Sequence, residues 1–364
     1  MYVVRQELLQ VNYIRSTTTF FNKSTAGNYI NMGKYQIRVN DSEFEDLLDI
    51  AIFAESGKSH DELIAYATSN GIAEETLLLA INNKIIIAEY SWPNNGAHFK
   101  NKHFLDLFFD PKNPYDFSNH HVVVVGCGGM GNFMSYPLST LGIGTLTLVD
   151  ADTVERSNLN RQFLFNDDSI GLFKVDEIER KVQPLNRKMK INKYAENISL
   201  DLLNKIMVTY PVKPTLIVLS ADDEYCMPVV NDFCTKQSVP YLNMGYLNDY
   251  SVIGPFYIPE VSSCAYCQNS LGIEKETTSN EKFEDKIKSV NKKYVSPAFF
   301  TNNAFASGMA LVDILYFFNQ QFDKINSLNK RVGINNHDFT LHSIAMNKNS
   351  QCDCNVKGGH KNDN

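Results

Sequence analysis

The chain has 364 residues and a formal net charge of −7, a length that suits about two domains with apolar cores. The acidic balance disfavours a nucleic-acid partner held by a basic surface. The chain opens without a secretory signal and has no apolar run of bilayer length, so we expect a cytoplasmic protein without membrane contact.

Residues 1–92 are predicted to form a separate small α+β module. Short β-branched or alternating segments indicate strands, and amphipathic segments after capping residues indicate helices. Strands are expected at residues 11–14, 35–39 and 85–90, and helices at 41–53, from Ser59 or Asp61, and at 74–82. We expect Asp41 or Ser42 to cap the first of these helices. This set of elements is typical of a winged-helix-like fold.

Chain-breaking residues from Pro93 to Gly96 predict a linker after this module. With the segment that follows, the linker is expected to span residues 93–119 and to precede a second domain at 120–355. Residues 356–364 are expected to be a disordered tail.

The second domain opens with a strand, a glycine-rich turn, a helix and a second strand that ends in an acid. Residues 122–125 are apolar and β-branched, which is typical of a strand buried on both faces. Glycines let a sharply turning backbone approach a phosphate closely. The glycines of the turn are Gly126, Gly128, Gly129 and Gly131. Asp150 follows at about the twenty-residue spacing at which an acid binds a ribose hydroxyl. The sequence therefore predicts a nucleotide site rather than a structural turn.

A polar cluster beyond Asp150 bears on which nucleotide binds. Its members are Asp152, Asn158, Asn160, Arg161, Gln162 and Lys174. A nicotinamide-dependent oxidoreductase has little use for this cationic pair, whereas Arg161 and Lys174 suit the charge of a triphosphate. The alternative is a solvated loop and a surface helix, because lysine and arginine are usually exposed. We favour a triphosphate on this pattern.

Another buried strand, at residues 215–219, is followed by Ser220, Ala221 and Asp222. Ligands of open α/β sheets bind at such carboxyl ends of strands. Mg²⁺ prefers a carboxylate beside substrate phosphates, which makes Asp222 a candidate metal ligand. Asp222 can also cap the next helix, and the two roles are compatible.

The seven cysteines are expected to be thiols or metal ligands in a cytoplasmic protein. Cys264 and Cys267 have CxxC spacing, and Cys352 and Cys354 have CxC spacing. Two such pairs supply the four thiolates of a closed tetrahedral zinc site, with His360 as an alternative ligand. We predict a structural Zn²⁺ there, and no cysteine that is placed to act as a thioester nucleophile.

Four segments of the second domain resemble the adenylating enzymes related to ubiquitin-activating enzymes. They are GCGGMGN from Gly126, LVDADTVERSNLNRQFLF, the GLFK that ends at Lys174, and SADDEY around Asp222. This group includes the enzymes that adenylate sulfur-carrier proteins in molybdopterin and thiamine synthesis. A likeness to its microcin C branch, which modifies a ribosomally made peptide, extends through YLNMGYLNDYSVIGPFYIP, the first cysteine pair and LNKRVGI. The likeness covers residues from roughly 100 to 355.

The resemblance implies a Rossmann-like adenylation domain with a mainly parallel sheet, which uses ATP and Mg²⁺ to activate a carboxyl group of a precursor peptide. Arg161, Lys174 and Asp222 are then the catalytic residues, and Asp222 is associated with the metal. The implied nucleotide contacts are Gly126, Gly128, Gly129, Gly131, Asp150, Asp152, Asn158 and Gln162. The family pattern also implies a homodimer in which an arginine reaches the neighbour's ATP. Lys102 stands at that position here, and lysine lacks the bidentate fork.

For residues 1–92 the resemblance implies a clamp that docks the leader of the peptide against a sheet edge. A stabilising or dimerisation appendage is the alternative. We favour activation of glutamate side chains for dehydration, as in pantocin biosynthesis, because Lys102, the CxC pair and the N-terminal module diverge from the microcin C pattern. The alternatives are attachment of AMP to a C-terminal Asn, adenylation of a ubiquitin-like sulfur-carrier protein, and a non-catalytic nucleotide-binding scaffold.

Overall fold

A computed structural model describes residues 11–89, 99–108, 116–221, 223–267, 281–292, 294, 296–352 and 354. Contacts divide the chain into two compact units, residues 1–115 and 116–364, and each unit is described by itself. The predicted linker at 93–96 and the predicted tail at 356–364 lie outside the described residues. No helix within the described ranges is long and apolar enough to cross a membrane.

The first unit combines two small sheets with helices. Its strands are β1 (Asn12–Arg15), β2 (Phe21–Ser24), β3 (Gly27–Ile30), β4 (Ile37–Val39), β5 (Lys58–Ser59) and β6 (Ile86–Ala88). They form two antiparallel sheets with the orders β5-β1-β6 and β2-β3-β4. The helices are α1 (Asp41–Phe53), α2 (His60–Ser69), α3 (Glu74–Asn82) and α4 (Phe99–Phe108). Leu47 and Ile50 of α1, Leu63 of α2 and Leu77 of α3 are buried in one shared apolar core.

The three helices predicted before residue 90 are present. Ser59 precedes α2 as predicted, and its hydroxyl accepts a hydrogen bond from the Glu62 N–H at 3.2 Å. The predicted cap of α1 is wrong, because Asn40 caps it. The Asn40 side chain accepts from the Glu43 N–H at 2.8 Å, and the Glu43 carboxylate accepts from the Asn40 N–H at 3.2 Å. This reciprocal capping box leaves Asp41 as the first helical residue.

The second unit is built on one sheet that has eight strands in the described part of the chain, in the order β14-β13-β12-β11-β10-β7-β8-β9. The strands are β7 (His121–Val125), β8 (Thr145–Val149), β9 (Lys190–Tyr194), β10 (Leu216–Leu219), β11 (Tyr241–Leu247), β12 (Tyr250–Tyr257), β13 (Lys330–Asn335) and β14 (Leu341–Ala345). Five neighbouring strands are parallel to one another, namely β9, β8, β7, β10 and β11. The remaining pairs are antiparallel. The predicted Rossmann-like α/β fold is therefore confirmed.

Helices connect and cover this sheet. They are α5 (Gly129–Leu141), α6 (Lys174–Val182), α7 (Leu200–Thr209), α8 (Cys226–Gln237), α9 (Glu281–Asn291) and α10 (Phe300–Phe318). Residues 304–318 are apolar on nearly all sides, a pattern that predicts a buried helix. The structure has this helix as α10, which begins four residues earlier, at Phe300. It packs against α5 and against strands β11 and β12.

The position of β7 creates the crevice of this fold. From β7 the chain runs outward through β8 and β9, and then returns to place β10 on the other side of β7. Val125 pairs with Val149 of β8 and with Leu219 of β10. Ligands of open α/β sheets bind at the carboxyl ends of strands where the order reverses in this way.

Candidate functional site

The glycine-rich turn between β7 and α5 is so tight that two of its glycines are required by packing. Gly126 has φ +90°, and a Cβ added to it would lie 2.7 Å from the backbone nitrogen of Ala221. A Cβ on Gly131 would lie 1.9 Å from the carbonyl oxygen of Gly126. A Cβ on Gly128 would meet nothing nearer than the Gln162 amide nitrogen, at 3.9 Å. Gly128 therefore leaves open space for a ligand at the start of α5.

Asp150, at the end of β8, is tied to this turn. One carboxylate oxygen accepts the Cys127 N–H at 2.6 Å, and the other accepts the Asp152 N–H at 2.8 Å. Burial raises the pKa of Asp150, and the nearby Lys174 ammonium lowers it in part. A carboxylate has about four acceptor positions, so Asp150 can still accept hydroxyl groups from a ribose.

Lys174 lies at the start of α6 with its ammonium group between two carboxylates. Its Nζ donates to Asp152 Oδ2 at 2.6 Å and lies 4.0 Å from Asp150 Oδ1. The side chain of Lys174 is 9% exposed, whereas that of Asp152 is 71% exposed. The ammonium group of this buried lysine is therefore fixed in the crevice by Asp152 and Asp150.

Arg161, Asn158 and Gln162 lie on the loop between β8 and α6. The Arg161 guanidinium donates to the Ser157 carbonyl at 2.8 Å and to Asn160 Oδ1 at 2.9 Å. Asn158 Oδ1 accepts the Glu155 N–H at 3.0 Å. Gln162 is buried, and its Oε1 has no hydrogen-bond partner among the described residues.

These side chains line two adjoining halves of one cleft, which share Gly128, Asp152, Lys174 and Ser220. The first half also contains Asp150 and the apolar side chains of Ile198 and Ala221, so it suits a ribose and a flat base. The second half contains Gly129, Asn158, Arg161, Gln162, Tyr246 and Asn303, together with the acid Glu155. Its two cations, Arg161 and Lys174, could bind a polyanion. Of the predicted glycines, Gly131 lies behind the cleft, packed against Gly126.

The side chains of two predicted site residues, Asp222 and Lys102, lie outside the described part of the structure. Asp222 lies outside the described residues, between Ala221 and Asp223, which both line the first half of the cleft. Lys102 belongs to α4 in the other unit, and its side chain also lies outside the described part of the structure. Their roles stay predictions.

Cys264, Cys267, Cys352 and Cys354 converge, with all four Sγ atoms within 4.8 Å of one another. Neighbouring sulfurs are separated by 3.4 Å, 3.5 Å and 3.9 Å. Four thiolates at the usual Zn–S distance in a tetrahedron have sulfurs about 3.8 Å apart. The residues present therefore fit Zn²⁺, which would join the segment after β12 to the segment after β14. The CxC spacing closes a four-thiol set without His360, which lies outside the described residues.

The remaining cysteines, Cys127, Cys226 and Cys234, are buried. Burial raises the pKa of the Cys127 and Cys234 thiols well above the usual value. A protonated, enclosed thiol is a poor nucleophile, so neither Cys127 nor Cys234 is placed to form a thioester.

Comparison with known proteins decides the family. The model of the ThiF family matches residues 102–356, which is well over half of the chain. This protein belongs to the ThiF family. The match confirms the predicted resemblance to the adenylating enzymes related to ubiquitin-activating enzymes.

Sequence relatives match only part of this ThiF-family chain. The adenylyltransferase and sulfurtransferase MOCS3 of Dictyostelium discoideum is 34% identical over 34% of this chain and 28% of its own length. The ubiquitin-like modifier-activating enzyme 5 of Drosophila willistoni is 32% identical over 41% of this chain and 39% of its own length. The chain therefore spans well under half the length of these relatives.

Solved structures match nearly the whole chain. The E. coli MccB complex with MccA-N7isoASN has a TM-score of 0.81 and 28% identity, over 94% of this chain and 99% of that one. PaaA has a TM-score of 0.63 over 90% of this chain and 98% of that one, and at 19% identity it shows a shared fold alone. The predicted resemblance to adenylating enzymes of the peptide-modifying type is confirmed.

Asn303 was missed by the sequence analysis of this ThiF-family chain. It lies in the first turn of α10, is buried, and has an Oδ1 atom without a partner among the described residues. Its Nδ2 donates to the Arg161 carbonyl at 3.4 Å. The apolar pattern that predicts this helix starts at residue 304. Asn302 and Asn303 therefore fall outside the predicted helix, and their place in its first turn is not predicted.

Proposed function

We propose that this enzyme adenylates a carboxyl group of a ribosomally made precursor peptide, as a step in the biosynthesis of a peptide antibiotic. The observation that carries the proposal is the extent of the likeness to E. coli MccB, which has been solved with ATP and with N-formylated MccA. That likeness includes the N-terminal unit, since it covers 94% of this chain. The sulfurtransferase relatives match only about a third of the chain.

The chemistry follows from the charges around the cleft. A carboxylate oxygen of the peptide attacks the α-phosphorus of ATP, the bond to the bridging oxygen breaks, and pyrophosphate leaves with the electron pair. Lys174 and Arg161 face the phosphates and offset the negative charge that develops on them. The backbone N–H groups at the start of α5 bind the same oxygens. Asp150 holds the ribose and so fixes the α-phosphorus relative to the incoming carboxylate.

Mg²⁺ is part of the proposal. Bound Mg²⁺ would supply positive charge that offsets the negative charge of the triphosphate and of the departing pyrophosphate. Asp222 is the residue that we expect to hold it. The cleft contains further carboxylates at Asp150, Asp152 and Asp223, and such oxygens suit a hard cation. Displacement of Asp152 from Lys174 by the triphosphate would make its exposed carboxylate available.

Two structural observations bear on which peptide chemistry the enzyme performs. In the sequence, the CxC pair and the N-terminal module diverge from the microcin C pattern, which favours activation of glutamate side chains. The CxC pair nevertheless completes a four-thiol cluster, and the N-terminal unit is included in the match to MccB. We therefore propose modification at the C-terminus of the peptide, with transfer of AMP. Glutamate activation as in pantocin biosynthesis is the second candidate, supported by the shared fold with PaaA.

A homodimer is a further part of the proposal. An exposed aromatic cluster on the second unit consists of Phe133, Tyr136, Phe163 and Phe300. Three of its members, Tyr136, Phe163 and Phe300, are each more than two-fifths exposed. Contiguous apolar patches on soluble proteins mark contact surfaces, and a second copy of the chain is the contact that the family resemblance implies.

Exchange of pyrophosphate into ATP tests the function. The assay uses short synthetic peptide acids as candidate substrates, with a ubiquitin-like sulfur-carrier protein as the competing substrate. Exchange that depends on the peptide supports the proposal. The mass of the product then separates the two chemistries, since transfer adds AMP and condensation removes water. Exchange with the carrier alone would overturn the peptide assignment. ATP binding without any exchange would favour the scaffold alternative.

A further inference from the structure

The hydroxyl of Tyr241 lies in the same apolar core as the first cysteine pair. Tyr241 is the first residue of β11 and is fully buried. Cys264, Ala265 and Cys267 belong to the same core. A buried hydroxyl lowers the stability of a fold unless it is hydrogen-bonded, so the partners of this group indicate its role.

Two hydrogen bonds join the Tyr241 hydroxyl to two other segments. It accepts the backbone N–H of Ala265 at 2.8 Å, and it donates to Asn231 Oδ1 of α8, also at 2.8 Å. A hydroxyl group has one proton and two lone pairs. Donation to Asn231 therefore turns the lone pairs of the oxygen toward Ala265. The hydroxyl thus connects α8, β11 and the segment that follows β12.

The bond to Ala265 fixes one end of a peptide unit that a second hydrogen bond fixes at its other end. This planar unit lies between Cys264 and Ala265. Its carbonyl oxygen accepts the Cys267 N–H at 3.3 Å, and its N–H donates to Tyr241, a side chain 24 residues earlier in the chain. With both ends held, the turn between the two cysteines keeps one conformation. The Sγ atoms of Cys264 and Cys267 are 3.9 Å apart in it.

Tyr194 shows that a buried tyrosine of this core can pair without contacting the cysteines. It belongs to the same core, and its hydroxyl is hydrogen-bonded to the Tyr210 hydroxyl at 2.8 Å. Both residues lie outside the segments that carry the four thiols. Packing of the core accounts for the ring of Tyr241, which phenylalanine would supply equally well. It does not account for a hydroxyl that binds the cysteine turn.

We propose that Tyr241 is a positioning residue for the zinc site, and that its hydroxyl, oriented by Asn231, holds Cys264 and Cys267 at the separation that the metal requires. The inference rests on the predicted Zn²⁺ and is independent of the nucleotide and of the peptide. Removal of groups that orient metal ligands without touching the metal lowers metal affinity by about tenfold to a hundredfold. A preformed turn loses little conformational freedom when zinc binds, whereas a turn released from Tyr241 must be ordered by the metal.

The test compares full-length wild type with Tyr241→Phe, Asn231→Ala and the control Tyr194→Phe. Each tyrosine variant deletes one buried hydroxyl from the same core and keeps the ring. Asn231→Ala removes the acceptor that orients the Tyr241 hydroxyl. A chromogenic chelator competes for zinc and gives the dissociation constant, at a temperature well below the melting temperature of every variant. Co²⁺ in place of Zn²⁺ gives an absorption spectrum that reports the ligand geometry.

We expect the zinc dissociation constant of Tyr241→Phe to rise by about tenfold or more, and that of Tyr194→Phe to stay within about twofold of wild type. Asn231→Ala should weaken zinc binding by a smaller factor, because Ala265 keeps its acceptor. The Co²⁺ spectrum of Tyr241→Phe should still show four thiolates, since no ligand is lost. Both tyrosine variants lose a buried hydrogen bond, so their melting temperatures with saturating zinc should fall alike.

The zinc affinities decide between a positioning role and a structural one. If Tyr241→Phe binds zinc as tightly as Tyr194→Phe does, the hydroxyl only stabilises the core, and the proposal is wrong. An unchanged zinc affinity of Asn231→Ala would also overturn it. Asn231 is half-buried in a helix, where alanine is well tolerated, so this variant keeps the test available if Tyr241→Phe fails to fold. Wild-type protein that binds neither Zn²⁺ nor Co²⁺ overturns the zinc site and this role together.

Discussion

The carboxamide of Asn303 lies directly against the backbone of Gly129. A Cβ added to Gly129 would be 2.4 Å from Asn303 Nδ2, and Asn303 is fully buried. Because of this contact, the first turn of α10 helps to shape the phosphate-binding turn, although the two segments are far apart in the sequence. Within the turn, Gly126 packs against Ala221, Gly131 packs against Gly126, and Gly129 packs against Asn303 of α10. Only Gly128 of these four glycines has open space beside it.

Gly128 and Gly131 should therefore respond differently to the same substitution. Gly128 has φ −68°, a conformation that alanine adopts without strain, so Gly128→Ala should fold normally. Its methyl group would point toward the phosphates, and we expect ATP affinity to fall by about tenfold or more. Gly131→Ala should instead destabilise the fold by about 1–3 kcal/mol or more, because its methyl group overlaps the Gly126 carbonyl. Thermal melting and ATP titration of the two variants check the contrast. Equal loss of stability in both would contradict it.

Lys174 should be required for turnover and not for folding. Lys174→Ala removes a fixed cation from the phosphate half of the cleft, and we expect the rate of adenylation to fall by about a hundredfold or more. Lys193→Ala is the matched control, since Lys193 also forms ion pairs, with Asp176 at 2.7 Å and Glu179 at 2.6 Å, but lies outside the cleft. Pyrophosphate exchange measures both. Near-normal exchange by Lys174→Ala would remove it from the site.

Arg161→Ala and Asp222→Ala test two other roles in the proposed adenylation, namely charge stabilisation in the chemical step and binding of Mg²⁺. Arg161 should affect the chemical step, because its guanidinium contacts only neutral oxygens in the described structure and is available to a phosphate. Asp222→Ala should raise the Mg²⁺ concentration needed for half-maximal exchange. A Mg²⁺ dependence identical to that of wild type would show that another carboxylate holds the metal.

The glycine turn, Asp150 and the cysteine pairs could be predicted from sequence because their spacing reflects local geometry. A β-branched run followed by glycines and an acid after the next strand specifies a phosphate turn almost by itself. The contact of α10 with the glycine turn could not be predicted, since it depends on how a helix from the end of the chain packs onto β11 and β12. The position of Asn303 against Gly129 is a product of this long-range packing.

The helix caps and short strands of the first unit show a second reason why sequence alone predicts only part of the structure. Asn40, Asp41 and Ser42 are all good N-cap residues, and only the hydrogen bonds with Glu43 decide among them. The hairpin of β2 and β3 was not predicted, because its turn, Ser24 to Gly27, lacks the Asn-Gly or Asp-Gly pair that marks two-residue hairpins. Local propensity thus located the helices and the strands β1, β4 and β6, whereas the hairpin of β2 and β3 and the pairing of the strands into sheets depend on tertiary context.

Zinc should copurify at one ion per chain. Cys267→Ser removes one of four ligands, and we expect it to abolish the bound zinc and to lower the melting temperature by roughly 5 °C or more. Cys234→Ala is the control, because Cys234 is buried in the same unit but lies outside the four-thiol cluster. Metal analysis of protein purified without chelator measures the stoichiometry. Zinc-free wild-type protein of full stability would rule out the metal.

A homodimer with shared sites should be detectable by complementation. Phe163→Arg places a charge in the exposed aromatic cluster and should produce monomers in a sedimentation experiment. If Lys102 reaches the neighbour's ATP, Lys102→Ala and Lys174→Ala subunits are each inactive but mix to give dimers with one intact site. Random mixing should restore roughly a quarter of the wild-type activity. Activity that does not rise on mixing would place Lys102 in its own subunit's site or outside any site.

The N-terminal unit should grip the leader of the peptide rather than serve as an appendage. Strands β2 and β4 each pair only with β3 among the described strands, so each has an outer edge that can accept a peptide strand through main-chain hydrogen bonds. Holding the leader also raises the local concentration of the reacting carboxyl group. Deletion of residues 1–90 should therefore reduce modification of the full-length peptide by about a hundredfold while ATP binding persists. A shortened peptide that keeps only the reacting end is the control, since full-length and truncated enzyme should modify it equally slowly. If the truncated enzyme folds and modifies the full-length peptide as fast as wild type does, the unit has a structural role instead.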